Sequence, residues 1–343
     1  MKRFLAIVLA LAMVFALCAC GGNDKDKETD KPDTAAYKVA MITDYGDITD
    51  QSFNQTTYEA CKAFCDKNSV EFKYYKPTAD STAARVEMVE QAVAEGFNVI
   101  VMPGFAFAGT IAECQDTHPD VKFIGLDVSE FDLYDSFYNH DKDGNRTDLK
   151  DPNNKEHISK NVYCAVYQEE LCGYMAGYAA VKLGYTKLGF LGGMAVPAVV
   201  RYGYGFVQGV DAAAAELGLT DVELNYVYGG QFSGDADITA VMDTWYNGGT
   251  EIVFACGGSI YSSAGEAAAK VNGKVIGVDT DQSGIIDGKY GEGMTVTSAM
   301  KGLYPATYDA LTDIVLNGKW ADYVGKIETL GLVSGDDPEA NYV

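Results

Sequence analysis

Two stretches of the chain follow the same plan, and together they decide the fold class. Residues 98–128 read NVIVMPGFAFAGTIAECQDTHPDVKFIGLDV, and residues 251–281 read EIVFACGGSIYSSAGEAAAKVNGKVIGVDTD. Each contains an apolar strand, a glycine turn, a helix rich in small residues, a second apolar strand and then an aspartate. Because both copies keep this order and nearly the same spacing, the sequence predicts two halves that are built alike.

The alternation of strand and helix patterns extends over most of the chain. Apolar runs alternate with segments of helical period such as 81–97. The apolar runs are residues 99–103, 121–127, 187–193, 251–258 and 274–281. Strands that are apolar on both faces are typical of parallel sheets covered by helices. We therefore predict an α/β protein with two Rossmann-like lobes, each with a parallel sheet, joined by a hinge.

The first residues have the layout of a lipoprotein signal peptide. Two basic residues precede an apolar run over 4–17, and Leu-Cys-Ala-Cys ends at Cys20. This ending fits the bacterial lipobox, which implies cleavage after residue 19 and a lipid on the Cys20 sulfur. Cys18 fits less well because Phe15 would occupy its −3 position. A transmembrane anchor is the alternative, but the run is short for a membrane span.

The chain is long enough for two cores, and composition suggests where they begin and end. Residues 20–36 are polar and charged, which is typical of a flexible tether. The predicted divisions are 1–19 (signal peptide), 20–36 (tether), 37–160 (mainly N-terminal lobe), 161–285 (mainly C-terminal lobe) and 286–343 (hinge crossing and C-terminal segment).

Net charge and cysteine usage exclude some classes of function. The formal charge is −23, and no basic stripe interrupts it, so nucleic acid is excluded as a partner. Cys61 and Cys65 lie one helical turn apart, but no further histidine or paired cysteine completes a zinc set. We predict no metal or cofactor, and a monomer. The disulfide state of these two cysteines stays open.

Aspartates follow the apolar strands at three comparable places. Asp44 lies within MITDYGDITDQSFN (41–54), while Asp127 and Asp279 end the two repeated stretches. In open parallel sheets ligands bind beyond the carboxyl ends of the strands. For each aspartate taken alone, a helix N-cap is the favoured interpretation. Three at equivalent strand ends favour a binding site in a cleft between the lobes.

Seven blocks of the chain resemble, in order, those of the basic membrane protein family. They are KVAMITDYGDITDQSFNQTTYEA (38–60), VMPGFAFAGTI (101–111), NVYCAVYQEELCGYMAGYAA (161–180), KLGFLGGMAVPAVVRYGYGFVQGVDAA (187–213), QFSGDAD (231–237), IGVDTDQ (276–282) and TSAMKGL (297–303). The family consists of lipoprotein substrate-binding subunits of ABC importers, and its best understood members bind purine nucleosides. The resemblance implies a periplasmic-binding-protein fold of type I, a lipid-anchored protein on the extracytoplasmic face of the bacterial membrane, and a permease as partner.

The resemblance also implies a set of ligand-binding residues. Asp44 matches the carboxylate that binds the nucleobase edge, Phe53 matches an aromatic that stacks on the base, and Asn54 lies beside it. Phe232 matches the aromatic of the opposite lobe, with Tyr202 as the rival. The residues that match the ribose-binding set are Asp127, Gly258, Asp279 and Lys301. For Lys301, an ordinary surface lysine is the alternative.

The chain also contains a polar insertion, and it allows alternative functions. Residues 129–160 form a polar insertion in which 139–145 have calcium-loop offsets, but Lys150 stands where the closing glutamate belongs. We predict a surface insertion. The catalytic alternative is a nucleoside hydrolase that uses the acids of 43–50. Another ribosylated or sugar ligand is the second alternative. A DNA-binding regulator of the same fold is disfavoured by the export signal.

Overall fold

A computed structural model describes residues 34–336 and 340–343. The predicted signal peptide, Cys20 and most of the tether lie outside the described residues. Within the described part, none of the helices combines the length and the apolar character that crossing a bilayer requires.

Thirteen strands and ten α-helices make up the described fold. The strands are β1 (Lys38–Ile42), β2 (Glu71–Tyr75), β3 (Val99–Pro103), β4 (Lys122–Leu126), β5 (Tyr138–His140), β6 (Arg146–Leu149), β7 (Val162–Tyr167), β8 (Lys187–Gly192), β9 (Glu223–Tyr228), β10 (Ile252–Cys256), β11 (Lys274–Asp279), β12 (Thr295–Met300) and β13 (Lys326–Leu330). The helices are α1 (Phe53–Asn68), α2 (Thr82–Ala94), α3 (Ala108–Cys114), α4 (Glu130–Asp135), α5 (Glu169–Lys182), α6 (Pro197–Leu217), α7 (Ala236–Asn247), α8 (Tyr261–Ala269), α9 (Ser283–Tyr290) and α10 (Leu303–Leu311).

Two parallel sheets confirm the predicted fold class. The first sheet has the order β13-β7-β4-β3-β1-β2, and the second has the order β12-β11-β10-β8-β9. All neighbouring strands within these two sheets run parallel. Read from the side of β2 and of β9, the first five strands of each sheet have the 2-1-3-4-5 order of flavodoxin-like sheets. The two lobes are therefore built alike.

Each sheet is buried on both faces, as continuous apolar strands require. In β1, Ala40 and Ile42 belong to the core on one face, whereas Val39 and Met41 belong to the core on the other. The alternate residues of β10 divide in the same way between two cores of the second lobe. Side chains of a strand alternate between faces, so a strand covered by helices on both sides must be apolar throughout.

The lobe boundaries differ from the predicted ones. Strand β7 pairs with β4 and β13, so residues 162–167 lie in the first sheet, past the predicted boundary at 160. Strand β12 belongs to the second sheet and lies within 286–343, the range predicted for the hinge crossing and the C-terminal segment. The chain therefore passes to the second lobe at Gln168 and returns at Lys301–Gly302. The C-terminal segment joins this region, since Gly302 N donates to Tyr342 O at 2.9 Å.

The polar insertion forms a surface hairpin on the first lobe. Strands β5 and β6 pair antiparallel, and the Asp141 carboxylate accepts from Asp143 N and Asn145 N in the turn between them. The loop therefore uses its own aspartate to hold the turn. The six cysteines of the described residues are buried and form no disulfide with one another.

Helices α5 and α6 approach closely because glycines line their contact. A methyl group at Gly173, Gly177, Gly205 or Gly209 would overlap backbone atoms of the facing helix. Close helix contacts of this kind depend on the absence of side chains at the crossing. This helix pair forms one side of the second lobe, next to the crossing at Gln168.

Replacing Gly177 by alanine should therefore destabilise the protein. The added methyl would meet the Phe206 carbonyl, and overpacking of this kind costs about 1–3 kcal/mol. The control is Gly288→Ala in α9, where nothing lies within 4 Å of the new methyl and a gain of about 0.4–1 kcal/mol is expected. Urea unfolding of both variants measures the difference, and a Gly177→Ala variant as stable as Gly288→Ala would contradict the close helix contact.

Candidate functional site

A cavity of about 450 Å³ lies between the carboxyl ends of the two sheets. All nine residues predicted for the ligand site line it, and the structure therefore brings together residues that are spread over most of the chain. They are Asp44, Phe53, Asn54, Asp127, Tyr202, Phe232, Gly258, Asp279 and Lys301.

The cavity coincides with the point in each sheet where the strand order reverses. In the first lobe, Asp44 follows β1 and Gly104 follows β3; in the second lobe, Gly257 and Gly258 follow β10. Loops that leave neighbouring strands in opposite directions open a crevice there, which is where open α/β sheets bind ligands. Two such crevices face each other across this cavity.

Asp127 and Asp279 share an unusual backbone conformation. Their φ angles are 61° and 63°, in the left-handed region that few non-glycine residues adopt. Neither caps a helix, because the N-cap positions of α4 and α9 are Ser129 and Gln282. The helix-cap alternative is therefore wrong for both aspartates. Strained backbone at equivalent strand ends is typical of a functional site.

Asp44 is held rigidly at one end of the cavity. Its Oδ1 accepts from Tyr45 N at 2.6 Å, from Gly46 N at 2.7 Å and from Asn54 Nδ2 at 3.2 Å. It does not cap α1, whose N-cap position is Ser52. All three bonds involve Oδ1 and none involves Oδ2. Together they fix the orientation of the carboxylate.

The other two acids of the 43–50 loop have structural partners. Asp50 accepts from the backbone N–H groups of Ser52, Asn54 and Gln55, and so holds the start of α1. Burial raises the pKa of Asp50, and these N–H groups oppose that shift. Asp47 pairs with Lys76 on the surface at 2.7 Å. Of the three acids, Asp44 is thus the one that makes its protein hydrogen bonds through a single carboxylate oxygen, Oδ1.

Aromatic side chains from both lobes line the cavity. Phe53 opens α1 in the first lobe, whereas Phe232 lies in the loop before α7 in the second lobe. The ring of Phe232 rests on the glycine backbone at Gly193 and Gly257, where any side chain would overlap it. Tyr202 is almost fully buried, with its ring edge-on to Phe254 at 5.8 Å.

A buried ion cluster connects the lobes beside the cavity. Lys301 Nζ lies 2.7 Å from Asp127 Oδ2 of the first lobe and 2.9 Å from Glu169 Oε1 at the start of α5. Glu169 also accepts from Arg201 Nε at 2.5 Å. Lys301 is 4% exposed, so the surface-lysine alternative is wrong.

The cluster shifts the pKa values of its members in different directions. Burial alone would lower the pKa of Lys301, but the charges of Asp127, Glu169 and Asp279 outweigh it and raise that pKa. Burial likewise favours neutral Glu169, yet Lys301 and Arg201 together lower its pKa. Burial raises the pKa of Asp127, which has Lys301 alone as a direct cationic partner. Lys301 is therefore held charged in a dry site.

Sequence reasoning missed several residues of this region. Glu169 and Arg201 lie inside blocks that carry the family resemblance, but no short-range pattern indicates a role for them, and their partners are distant in sequence. Phe105 lines the cavity just after Gly104, in the glycine turn of the first repeat. Within residues 34–336 and 340–343, no three His, Cys, Asp or Glu side chains are grouped to hold a metal ion.

Comparison with known proteins identifies the family. The sequence profile described as ABC transporter substrate-binding protein PnrA-like (Bmp) matches residues 37–335. The chain belongs to the Bmp family. A Lactococcus lactis member, the ABC transporter nucleoside-binding protein BmpA, is 26% identical over 303 residues, 84% of this chain and 76% of that protein. An uncharacterized lipoprotein of Pyrococcus abyssi is 25% identical over 336 residues, 94% of this chain and 72% of that protein.

Solved structures show the same fold. An ABC transporter solute-binding protein from Aeropyrum pernix K1 superposes with a TM-score of 0.68 at 21% identity, covering 87% of this Bmp chain and 75% of that one. A 5-methylthioribose transporter solute-binding protein from Thermotoga lettingae has a TM-score of 0.55 at 14% identity, with 84% of each chain covered. At these identities the likeness shows the fold alone. The chain is a substrate-binding protein of an ABC transporter by family membership.

Lys301→Met should be severely destabilising, because it leaves buried Asp127 without its cation. Losing one partner of a buried pair costs about 3–5 kcal/mol. Carboxyl groups without the ammonium take up protons more readily in the folded state than in the unfolded state, so the variant should recover stability relative to wild type as the pH falls from neutral towards 5.

Denaturant unfolding at several pH values measures this effect. The control is Lys319→Met, whose partner Asp313 lies near the surface and whose loss should cost about 1 kcal/mol or less. A Lys301→Met variant whose deficit is the same at pH 5 and pH 7.5 would contradict the role of the buried carboxylates.

Proposed function

We propose that this Bmp protein is a lipid-anchored solute-binding protein that closes on a purine nucleoside in the cleft between its lobes and presents it to a membrane permease. The observation that carries the proposal is the pairing of aromatic walls from opposite lobes with fixed carboxylates at the cavity. A flat aromatic base suits the space beside Phe53 and Phe232. Hydroxyl and N–H donors suit Asp44, Asp127 and Asp279.

The proposed base site contains Asp44, Phe53, Asn54 and Phe232. Stacking on aromatic rings contributes on the order of 1–3 kcal/mol per base and tolerates different bases. The Asp44 carboxylate accepts N–H groups, so it distinguishes bases by the donors on their edges. Phe232 is favoured over Tyr202 as the second ring, because Tyr202 is edge-on to Phe254 within the core and its hydroxyl lies 3.4 Å from Asp279 Oδ1.

The proposed ribose site contains Asp127, Gly258, Asp279 and Lys301. An ionised carboxylate accepts two hydroxyl protons, and charge-assisted bonds are stronger than neutral ones. Lys301 holds its charge between buried acids and can donate to a sugar oxygen. The net charge of −23 opposes binding of phosphorylated ligands.

The attachment to a lipid rests on Cys20 and on lipoproteins among the relatives. The Pyrococcus abyssi relative carries the name lipoprotein, and so does a Pyrococcus horikoshii protein that is 26% identical over 340 residues. Cleavage before Cys20 would leave residues 20–36 as the link between the lipid and the lobes.

A nucleoside hydrolase is the enzymatic alternative, and the positions of the histidines count against it. His118, His140 and His157 pair with carboxylates of the first lobe, and none of them lines the cavity. Both carboxylate oxygens of Asp50 accept from backbone N–H groups and Asp47 pairs with a lysine, whereas Asp44 uses only Oδ1 in its protein hydrogen bonds. Incubation with inosine separates the two functions, since free hypoxanthine would appear only with a hydrolase.

Native mass spectrometry of freshly purified protein tests the proposed ligand class. A retained mass equal to guanosine, inosine or adenosine supports it. A retained free sugar or another ribosylated compound would overturn the nucleoside assignment and favour the sugar-ligand alternative.

Asp279→Ala should weaken nucleoside binding far more than binding of the free nucleobase. The change removes an acceptor for ribose hydroxyls at a cost of about 1.5–3 kcal/mol, which adds for the nucleoside to any loss that the two ligands share. Isothermal titration with guanosine and guanine measures both. Equal losses for the two ligands would remove Asp279 from the ribose site.

Phe53→Ala should raise the dissociation constant about tenfold to a hundredfold for guanosine and inosine alike, because it removes one stacking ring. Phe53→Tyr keeps the ring and is the matched control. Asp44→Asn should instead change the preference between guanosine and adenosine, since it alters the acceptors at the base edge. Calorimetry measures nucleoside binding by these variants, and melting curves measure their stability without ligand. A Phe53→Ala variant that is destabilised but binds guanosine with normal affinity would contradict stacking.

A further inference from the structure

Ser52 occupies a helix-capping position without capping the helix. It is the N-cap residue of α1, but its hydroxyl makes no bond to the first turn. Asp50 takes over that role by accepting from the backbone N–H groups of Asn54 and Gln55. A serine at an N-cap ordinarily uses its side chain for these donors. The hydroxyl of Ser52 is therefore available for another partner.

That partner is a carboxylate of the opposite lobe. Ser52 Oγ donates to Asp279 Oδ2 at 2.6 Å, and both side chains are buried. The bond is short, as expected for a hydroxyl donating to an ionised carboxylate. It joins the start of α1 in the first lobe to the end of β11 in the second lobe.

A second bond beside it crosses between the lobes in the same place. Gln282 Nε2 donates to Gln51 O at 3.1 Å and to Gly258 O at 3.2 Å, while its Oε1 accepts from Val278 N. Gln51 has a φ of 57°, which aims this short segment at the second lobe. Residues 51–52 thus form a contact segment between the lobes at the edge of the cavity.

The Asp279 carboxylate can accept a hydrogen bond from a ligand as well as from Ser52. An ionised carboxylate offers about four acceptor sites on its two oxygens. Ser52 occupies one of them on Oδ2, and Tyr202 OH approaches Oδ1 at 3.4 Å, a long contact. A hydroxyl of a bound ligand can therefore share Asp279 with Ser52. Separation of the lobes would break the serine bond but would leave the rest of Asp279 unchanged.

We propose that Ser52 is a positioning residue that holds the lobes closed through Asp279, so that closure and sugar recognition use the same carboxylate. The inference rests on the proposed function, because that function supplies the ligand, a purine nucleoside. Lobe opening must break the Ser52 bond before the ligand can leave. The bond therefore slows dissociation more than it speeds association, because it forms only when the lobes meet.

Stopped-flow dissociation of guanosine tests the proposal. Ser52→Ala should raise the dissociation rate about tenfold to a hundredfold, as expected for loss of one hydrogen bond to a charged group, with little change in the association rate. The melting temperature of the ligand-free variant should change little, because Asp50 still holds α1. The control is Ser81→Ala, which removes the side-chain bond to Ala84 N at the start of α2. It should lower the melting temperature and leave guanosine dissociation unchanged.

A distance measurement separates this proposal from the proposed function. Spin labels at Glu87→Cys in α2 and Asp237→Cys in α7 report the separation of the lobes, and both sites are exposed. In the ligand-free protein, Ser52→Ala should shift the distances towards longer values. If the wild type binds no nucleoside, the proposed function fails and the distances alone decide the role of Ser52. Unchanged distances, or unchanged guanosine dissociation in a protein that binds it, would overturn the role of Ser52.

Discussion

The rest of this site depends on the ion pairs that the buried ammonium group of Lys301 makes with two carboxylates. This ammonium group lies between Asp127, which ends a strand of the first lobe, and Glu169, which begins a helix of the second. Glu169 directly follows the first crossing of the chain, and Lys301 lies at the second. One buried cation therefore ties both crossings to the wall of the cavity. Without it, Asp127 would lose its direct cationic partner in a dry interior while Glu169 kept Arg201, which is unfavourable by several kcal/mol.

The two lobes form their sides of the cavity in the same way. Each sheet reverses its strand order beside the cavity, and each places an aspartate in a left-handed backbone at a strand end. The strands are covered on both faces, so their carboxyl ends are the places where polar side chains reach an open space. Facing crevices from two similar sheets then enclose a cavity that neither sheet could form alone.

Local patterns in the sequence predicted much of this arrangement. The strand at 99–103 and the aspartates at 127 and 279 follow from short-range features, namely apolar runs and the repeated plan. The membership of β7 in the first sheet did not follow, because an apolar run carries no information about which sheet receives it. The contact of Ser52 with Asp279 did not follow either, since it joins residues 227 positions apart. The ligand roles of the nine cavity residues stay predictions.

The left-handed aspartates have a consequence for how this protein would respond to selection. Glycine reaches positive φ without steric cost, whereas other residues in this region are strained by about 1 kcal/mol or more. Glycine at 127 or 279 would relax the backbone and would also remove a buried carboxylate. At 127 this relief is smaller than the about 3–5 kcal/mol that a buried ion pair loses with one of its partners, because Lys301 would keep Glu169 as its one remaining direct carboxylate partner. Selection for heat resistance alone would therefore keep the aspartate at 127 in spite of its strained backbone.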